Sequence, residues 1–439
     1  MSDLSAFRIA IVGAGPAGYF AAQALLNQED KSVLVDMLEK LPTPWGLVRS
    51  GVAPDHPKIR TVSKVFEKIS DDPRFRLMAN VEVGKDVTVA QLQEAYDAVV
   101  FASGADVGRL LGIPGEELPG VMSAAEFVPW YNAHPDFADF KVDLSGKRAI
   151  VIGAGNVAMD VGRLLAVEPD ELESTDISDI ALDALRVSKI TDVIIVARRG
   201  PEHAAFTSPE LRDLLDLEHT NVVVHADDVA AAHTRLASWE EIPKDVRQNM
   251  DAFTKLTTEA PTGQERTLEI KFFLAPIEII GTSHVEAVRF AINEVKGTDV
   301  VASGEEVTLP ADLVISAVGY TSEAITGLPI ERGKVHNLDG RVLDASGKHI
   351  PGMYVVGWAK RGPSGVIGTN KNDAAQVMER LLDDLGSGGS VPRSGIAPPP
   401  HAIDLAGWKL INEREIARGG DARPRVKFPN RTELIENAR

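Results

Sequence analysis

The sequence predicts an α/β protein with two Rossmann-like dinucleotide-binding domains, and two observations carry that prediction. An apolar, partly β-branched run breaks on a glycine fingerprint and passes into a helical pattern twice, at Ile9–Gly18 (IAIVGAGPAG) and at Ala149–Ala158 (AIVIGAGNVA). Each unit leads to a further apolar run that ends on charge: an acid at Glu39 after the first, a pair of arginines at Arg198 and Arg199 after the second. A single G-x-G-x-x-G is a weak signal. Two of them, each between a strand pattern and a helix pattern, are far more specific.

In the first unit Gly13 permits the tight turn, Gly15 with Ala14 lets the backbone approach a pyrophosphate, and Gly18 lets the helix pack on the strand. The helix start presents free N–H groups to phosphate charge. The Ser32–Leu38 run ends at Glu39, about twenty residues past the last glycine, where a carboxylate takes a ribose 2′-hydroxyl. The site should therefore hold a nucleotide without a 2′-phosphate. Asp36 is a competing acid, but it sits inside the strand run. The segment from Leu41 to Pro57 follows, with Pro42, Pro44, Pro54, Pro57, Gly46 and Gly51. Such a segment reads as a stiff irregular loop, and its Trp, Arg and His suit a site wall better than a linker. A helix over 58–69, a β region over 75–83 and a strand over 99–102 come next.

In the second unit Gly153, Ala154, Gly155, Asn156, Val157 and Ala158 form G-x-G-x-x-A. The strand over 193–196 then delivers Arg198 and Arg199 where an acid stood before. Two guanidiniums there can clamp a 2′-phosphate, so the second nucleotide should be NADP. Residues 168–190 form an acidic insertion of mostly helical pattern, with no evident task. From Val222 to about Val318 the chain reads as β-rich, with strands at 272–273, 277–280 and 285–292. Further strands are expected over 313–320 and 353–358, then a glycine-rich turn over 359–370 and a helix over 373–385. Residues 386–400, rich in Gly, Ser and Pro, read as a mobile or extended loop. The tail carries a local basic cluster of Arg418, Arg423, Arg425, Lys427 and Arg431.

The 439 residues allow about two to three domains. With 44% hydrophobic and 25% charged residues the composition is that of an ordinary globular protein. A formal charge of -18 argues against nucleic acid or an anionic membrane as partner. The lack of cysteine excludes a disulfide framework, a catalytic thiol and a Cys-ligated cluster in this chain, so redox chemistry would ride on a bound cofactor. No metal-ligand spacing occurs. No run approaches the length of a membrane span, and the few residues before the first strand leave no room for a targeting peptide. A soluble, cytoplasmic protein is the expectation.

The two fingerprints, the block GLVRSGVAPDH from Gly46 to His56, and the late Gly357-Trp358 and Gly365–Asn370 blocks together resemble one family. It is the adrenodoxin-reductase type of ferredoxin–NADP reductase, and the match covers nearly the whole chain. The resemblance implies an FAD-binding domain from 1–106 and 323–439, with an NADP-binding domain, 107–322, inserted between. It implies FAD at Ala14, Glu39, Leu47, Val83, Trp358, Val366 and Ile367. NADP would take Asn156, Val157, Arg198, Arg199, Glu210 and Gly365. A histidine and an aspartate associated with electron or proton transfer match His56 and Asp160. A loop histidine hydrogen-bonded for structure and a helix-end carboxylate are the alternative readings of these two. The implied activity is electron transfer from NADPH through FAD to a ferredoxin-type iron–sulfur protein. A flavin NADPH dehydrogenase or quinone reductase with a small acceptor, or a nucleotide-binding subunit of a larger redox complex, are the alternatives.

The chain departs from the family pattern at Glu202-His203, where relatives carry an apolar residue and an amide, so an extra acid falls near the phosphate clamp. Gly357-Trp358 replaces the Gly-Asp of the wider disulfide-reductase group, and no redox cysteine pair exists, which argues against the thioredoxin- and glutathione-reductase branches. Docking of an acidic carrier on so acidic a chain calls for a local positive face. Lys360, Arg361 and Lys371, or Arg423, Arg425, Lys427 and Arg431, are the expected candidates.

Overall fold

The computed structural model describes residues 6–258, 263–296, 299–386 and 393–439. Part of the stretch expected to be a mobile loop, 387–392, lies outside the described residues. The described part of that stretch, 393–400, is irregular and attached: Arg76 donates to the Ile396 carbonyl, and Ile396 N–H to the Tyr96 hydroxyl. The chain divides into two compact units. One takes residues up to Val107, Asn132–Ala138 and Tyr320–Arg439; the other takes Gly108–Tyr131 and Asp139–Gly319.

The first unit is built on a seven-stranded sheet ordered Asn337–Leu338, Arg341–Leu343, His349–Val355, Ala98–Phe101, Phe7–Val12, Val33–Glu39, Phe75–Ala79. The last five of these run parallel, with Val12 in register with both Leu38 and Phe101. Parallel strands need cover on both faces, which is why the fingerprint strand reads as a continuous apolar run. Its alternate residues divide between two cores: Ile9 and Ile11 enter one cluster, Ala10 and Val12 the other. Across the first face lie the Pro16–Leu26 and Thr369–Leu385 helices, the latter starting a turn before its expected residue 373. The helix expected over 58–69 forms as two pieces, Pro57–Arg60 and Ser63–Ser70.

The second unit has a six-stranded parallel sheet ordered Val121–Ser123, Leu313–Ser316, Arg148–Ile152, Asp192–Val196, Arg266–Lys271, Thr220–Val224. Leu274–Gly281, Val285–Lys296 and Asp299–Pro310 form a separate antiparallel sheet. Two helices, Ala226–Leu236 and Lys244–Thr258, stand in the stretch expected to be β-rich. Their buried residues explain why: Val229, Ala232 and Leu236, then Met250, Phe253 and Leu256, recur at three to four residues, a helical period. The strand expected at Phe272-Phe273 is instead the corner between Lys271 and Leu274, with Phe273 at φ +60°. In the acidic insertion, Pro169–Leu172 forms a 3₁₀ turn and Asp179–Arg186 a helix.

The turn-rich segment after Glu39 is held from beneath. The Arg49 guanidinium donates two hydrogen bonds, at 2.7 and 2.6 Å, to the Glu415 carboxylate in the Leu405–Gly419 helix. Glu415 is 0% exposed and also accepts the Phe428 N–H at 3.0 Å. Burial would raise its pKa, but the charge and hydrogen bonds of Arg49 outweigh that and hold it below the usual carboxylate range. Trp45 meets Trp408 edge-on at 4.8 Å, and Arg49 lies 5.6 Å from the Trp408 ring centroid. The Lys427 ammonium, also buried, donates to the Arg49 carbonyl at 3.1 Å. Removing the carboxylate would leave the buried cations Arg49 and Lys427 beside an empty position. Glu415→Ala should therefore destabilise this unit by about 3–5 kcal/mol, read as a lowered urea midpoint. A midpoint within error of the parent would rule out the pair as the anchor of the segment.

Candidate functional site: two nucleotide half-sites

The first half-site forms where the Phe7–Val12 strand turns into the Pro16–Leu26 helix. Gly13 has φ +108°, and a Cβ there would stand 2.5 Å from the Ala102 carbonyl oxygen. A Cβ on Gly18 would stand 2.1 Å from the Gly13 carbonyl oxygen, so this glycine serves the close packing of turn and helix. Gly15 differs. A Cβ there would meet only the Gly46 Cα, at 3.9 Å, and the protein itself leaves room for a side chain. That open space faces the first turn of an eleven-residue helix, whose free N–H groups favour an anion.

Glu39 ends the Val33–Glu39 strand and is nearly buried. Its carboxylate accepts the Ala14 N–H at 2.8 Å and the Leu41 N–H at 2.9 Å. Burial pushes its carboxyl up, partly opposed by those two donors. Each carboxylate oxygen retains a lone pair for a hydroxyl donor, which fits a ribose. Asp36 is committed elsewhere: it is 2% exposed and receives the Arg76 guanidinium and the Tyr96 hydroxyl, the latter at 2.8 Å. The strand position that made it the poorer candidate turns it away from the fingerprint.

The proline-rich segment folds back over the fingerprint, with Trp45 N–H donating to the Ala14 carbonyl at 2.7 Å. Trp45 itself takes φ +86°, and Gly46 follows so closely that its Cβ would be 2.8 Å from Gly15 Cα. Leu47, half-exposed, starts the short Leu47–Ser50 helix. Val83 is buried and bridges Val87 just past the Glu39 end of the sheet. From the other chain end, Gly357 brings its backbone against Ala17, where a Cβ would be 2.5 Å away. Its N–H is held by Asp373 at 2.7 Å. Trp358 stacks on Tyr320 with centroids 6.2 Å apart, and its Nε1 donates to Ser364 O at 3.2 Å. Gly365 and Val366 are exposed, while Ile367 packs on the core. The first unit thus gathers Gly13, Ala14, Gly15, Gly18 and Glu39 with the Gly46-Leu47 and Gly357-Trp358 turns. His56, also in this unit, is partly buried at the start of the Pro57–Arg60 helix.

The second half-site repeats the turn between Arg148–Ile152 and Asn156–Ala166. A Cβ on Gly155 would meet nothing within 4 Å, whereas Ala158, in the third fingerprint place, is fully buried. The Ala154 carbonyl accepts the Ala205 N–H at 2.8 Å, and Asn156 Oδ1 accepts the Thr207 N–H at 2.9 Å. These bonds fasten the fingerprint to the Ser208–Leu215 helix, which carries Glu210 in its first turn. Arg198 and Arg199 are both exposed at the end of Asp192–Val196, and neither guanidinium meets a carboxylate among the described residues. Glu202, the extra acid expected near them, is buried and bound by Arg235.

Asp160 and Glu210 come together on the buried Arg163, at 2.8 and 3.7 Å. Sequence reasoning missed Arg163, whose only signal was its place one turn beyond Asp160. Burial pushes the Glu210 carboxyl up to about 8, with the Asp160 charge adding to it. One proton is therefore held in the acid pair near neutrality. Several of the expected docking cations have partners within the chain, while Lys371 is exposed. Lys360 and Arg361 both pair with Asp373, at 2.7 and 3.1 Å. Lys427 is buried, Arg425 lies over Trp45 and 3.5 Å from Glu415, and Arg431 grips Asp136.

The raised Glu210 pKa has a thermodynamic consequence. Between its ordinary value of 4.5 and about 8 the folded chain binds a proton that the unfolded chain has lost. Stability should therefore fall as pH rises through that window. In Glu210→Gln that contribution should vanish, seen as a flatter dependence of the urea midpoint between pH 5 and 8. Parallel curves for the two proteins would refute the shared-proton assignment.

Comparison with known proteins agrees with this geometry. The family described as pyridine nucleotide-disulphide oxidoreductase matches residues 7–225. NADPH-ferredoxin reductase FprA of Mycobacterium leprae (strain TN) is 45% identical over 450 residues, covering 97% of each chain. The mitochondrial NADPH:adrenodoxin oxidoreductase of Mus musculus is 38% identical over 457 residues, covering 98% of this chain and 91% of the relative. The solved structure of Mycobacterium tuberculosis FprA in complex with NADPH superposes with a TM-score of 0.92 at 44% identity, over 99% of both chains. Among the described residues no helix is long and apolar enough to cross a membrane. Full-length identity to both relatives, on a fold with two such half-sites, makes the chain a member of the adrenodoxin-reductase type of ferredoxin–NADP reductases.

Proposed function

We propose that this chain is an FAD-dependent NADPH–ferredoxin reductase, with FAD held by the first unit and NADPH by the second. The observation that carries the reading is the pair of open glycines, Gly15 and Gly155, each facing a helix start, with opposite charge at the neighbouring strand ends. Bound FAD supplies two-electron uptake from NADPH as hydride and one-electron release to a ferredoxin-type iron–sulfur carrier. The chain's own residues bind and orient. Gly13, Ala14, Gly15 and Gly18 shape the pyrophosphate cradle, and Glu39 accepts from the ribose. Leu47, Val83, Trp358, Val366 and Ile367 wall the flavin. Ala154, Gly155, Asn156, Val157 and Glu210 position NADPH with Gly365, while Arg198 and Arg199 clamp its 2′-phosphate. His56 and Asp160 are the groups assigned to proton handling, and Asp160 lies beside Glu210, whose carboxyl is pushed up by burial and by the Asp160 charge. A cytoplasmic location completes the reading, supported by the -18 charge and the lack of a membrane-crossing helix among the described residues.

An anaerobic titration tests this. NADPH should bleach the flavin absorbance, and oxidised ferredoxin should then restore it. A flavin left oxidised by NADPH would sink the proposal. Charge-assisted contacts to a phosphate are worth roughly 1.5–3 kcal/mol each. Losing Arg198 or Arg199 to Ala should weaken NADPH by roughly ten- to a hundredfold and spare NADH. Equal weakening of both nucleotides would show the arginines serving another purpose.

A further inference from the structure

Two residues beyond the Arg198-Arg199-Gly200 turn stands an acid, where a free carboxylate would repel a phosphate. Glu202 is not free. Its side chain is 0% exposed, and Arg235 donates to it from Nε at 2.5 Å and from Nη2 at 3.0 Å. The pair lies against Gly200, the residue that follows Arg198 and Arg199. A Cβ on Gly200 would come within 2.5 Å of Glu202 Oε2 and 2.9 Å of Arg235 Nη2. The Arg235 guanidinium is 5.2 Å from the Phe273 ring centroid, and the Phe273 N–H donates to the Arg199 carbonyl at 3.4 Å. His203 completes the surroundings, with Nδ1 3.4 Å from Glu202 Oε1. Burial alone would push the Glu202 carboxyl up, but the Arg235 hydrogen bonds and charge bring it below its ordinary value, so it stays ionised.

We infer that Arg235 is the counter-ion that makes Glu202 compatible with the clamp, so that the Glu202–Arg235 pair sets how strongly the second site prefers a 2′-phosphorylated nucleotide. The inference rests on the reading of Arg198 and Arg199 as that clamp. Charge counting gives it a sign. The two clamp arginines plus a neutral pair present two positive charges to the phosphate. Without the Arg235 charge the site presents one; without the Glu202 charge it presents three. A pair that merely braced the turn would weaken binding whichever partner was lost.

The test is calorimetric binding of adenosine 2′,5′-bisphosphate and of AMP to the flavin-loaded protein at pH 8 and low salt. Glu202→Gln should bind the bisphosphate about tenfold more tightly, and Arg235→Met about tenfold more weakly, each about 1.4 kcal/mol. The double variant should return to within about threefold of the parent, and AMP should bind alike throughout. Weaker bisphosphate binding by Glu202→Gln, or AMP affinities that move in parallel, would overturn the inference. Should Arg235→Met fail to fold, Glu202→Gln and the double variant still decide the sign. A parent protein that binds bisphosphate no better than AMP would overturn the clamp reading itself, which is a distinguishable result.

Discussion

The turn that lies against the first fingerprint is pinned by the buried ion pair of Arg49 and Glu415. The segment after Glu39 is too rich in proline and glycine to hold itself by backbone ladders, and it must nevertheless lay Gly46 against Gly15. Its fixed point is Arg49, gripped by a carboxylate that comes from more than three hundred residues later in the chain. A buried charge pair is weak evidence for net stability, because desolvation offsets much of the attraction. Its worth here is positional. A bidentate guanidinium–carboxylate contact fixes both distance and orientation, and Trp45, Trp408 and Phe428 enclose it. The Leu405–Gly419 helix thereby braces the turn beside the first fingerprint although no fingerprint lies on it.

The two half-sites solve one problem with the same backbone and opposite charges. In each, a strand delivers a glycine turn to a helix start. In each, the middle glycine has space that the protein does not use. They part at the end of the next strand, where Glu39 accepts hydrogen bonds in one and Arg198 and Arg199 stand exposed in the other. A carboxylate cannot tolerate a 2′-phosphate, and two guanidiniums gain little from a bare hydroxyl. On the proposed reading, nucleotide choice is set by a few atoms at a strand end, while the two folds share the same turn.

What could be read in the amino-acid order follows from range. Both fingerprints, Glu39 and Arg198-Arg199 were legible because strand, turn and helix signals there are local and agree with one another. The helices Ala226–Leu236 and Lys244–Thr258 were missed because valine and threonine within them raise the β signal, and only packing of Val229, Phe253 and their neighbours settles the period. Asp36, set aside as a mid-strand acid, is bound across the sheet by Arg76 and by Tyr96. Glu415, Arg163 and Arg235 were invisible as partners. Glu415 meets Arg49, Arg235 meets Glu202 and Arg163 meets Glu210 across long stretches of sequence, which leaves no periodicity and no composition bias.

The same reasoning bears on the basic runs. On a chain of charge -18, a cluster of cations in sequence suggests a steering face. Yet Lys360 and Arg361 converge on Asp373, whose other task is to hold the Gly357 N–H, and Lys427 and Arg425 surround the Arg49–Glu415 pair. Burying a carboxylate to organise a turn obliges the fold to bring cations to it. Where the tail's cations lie beside site-forming turns, they are best read first as counter-ions to those buried acids. Only cations like Arg198 and Arg199, which meet no carboxylate among the described residues, keep their full field for a phosphate.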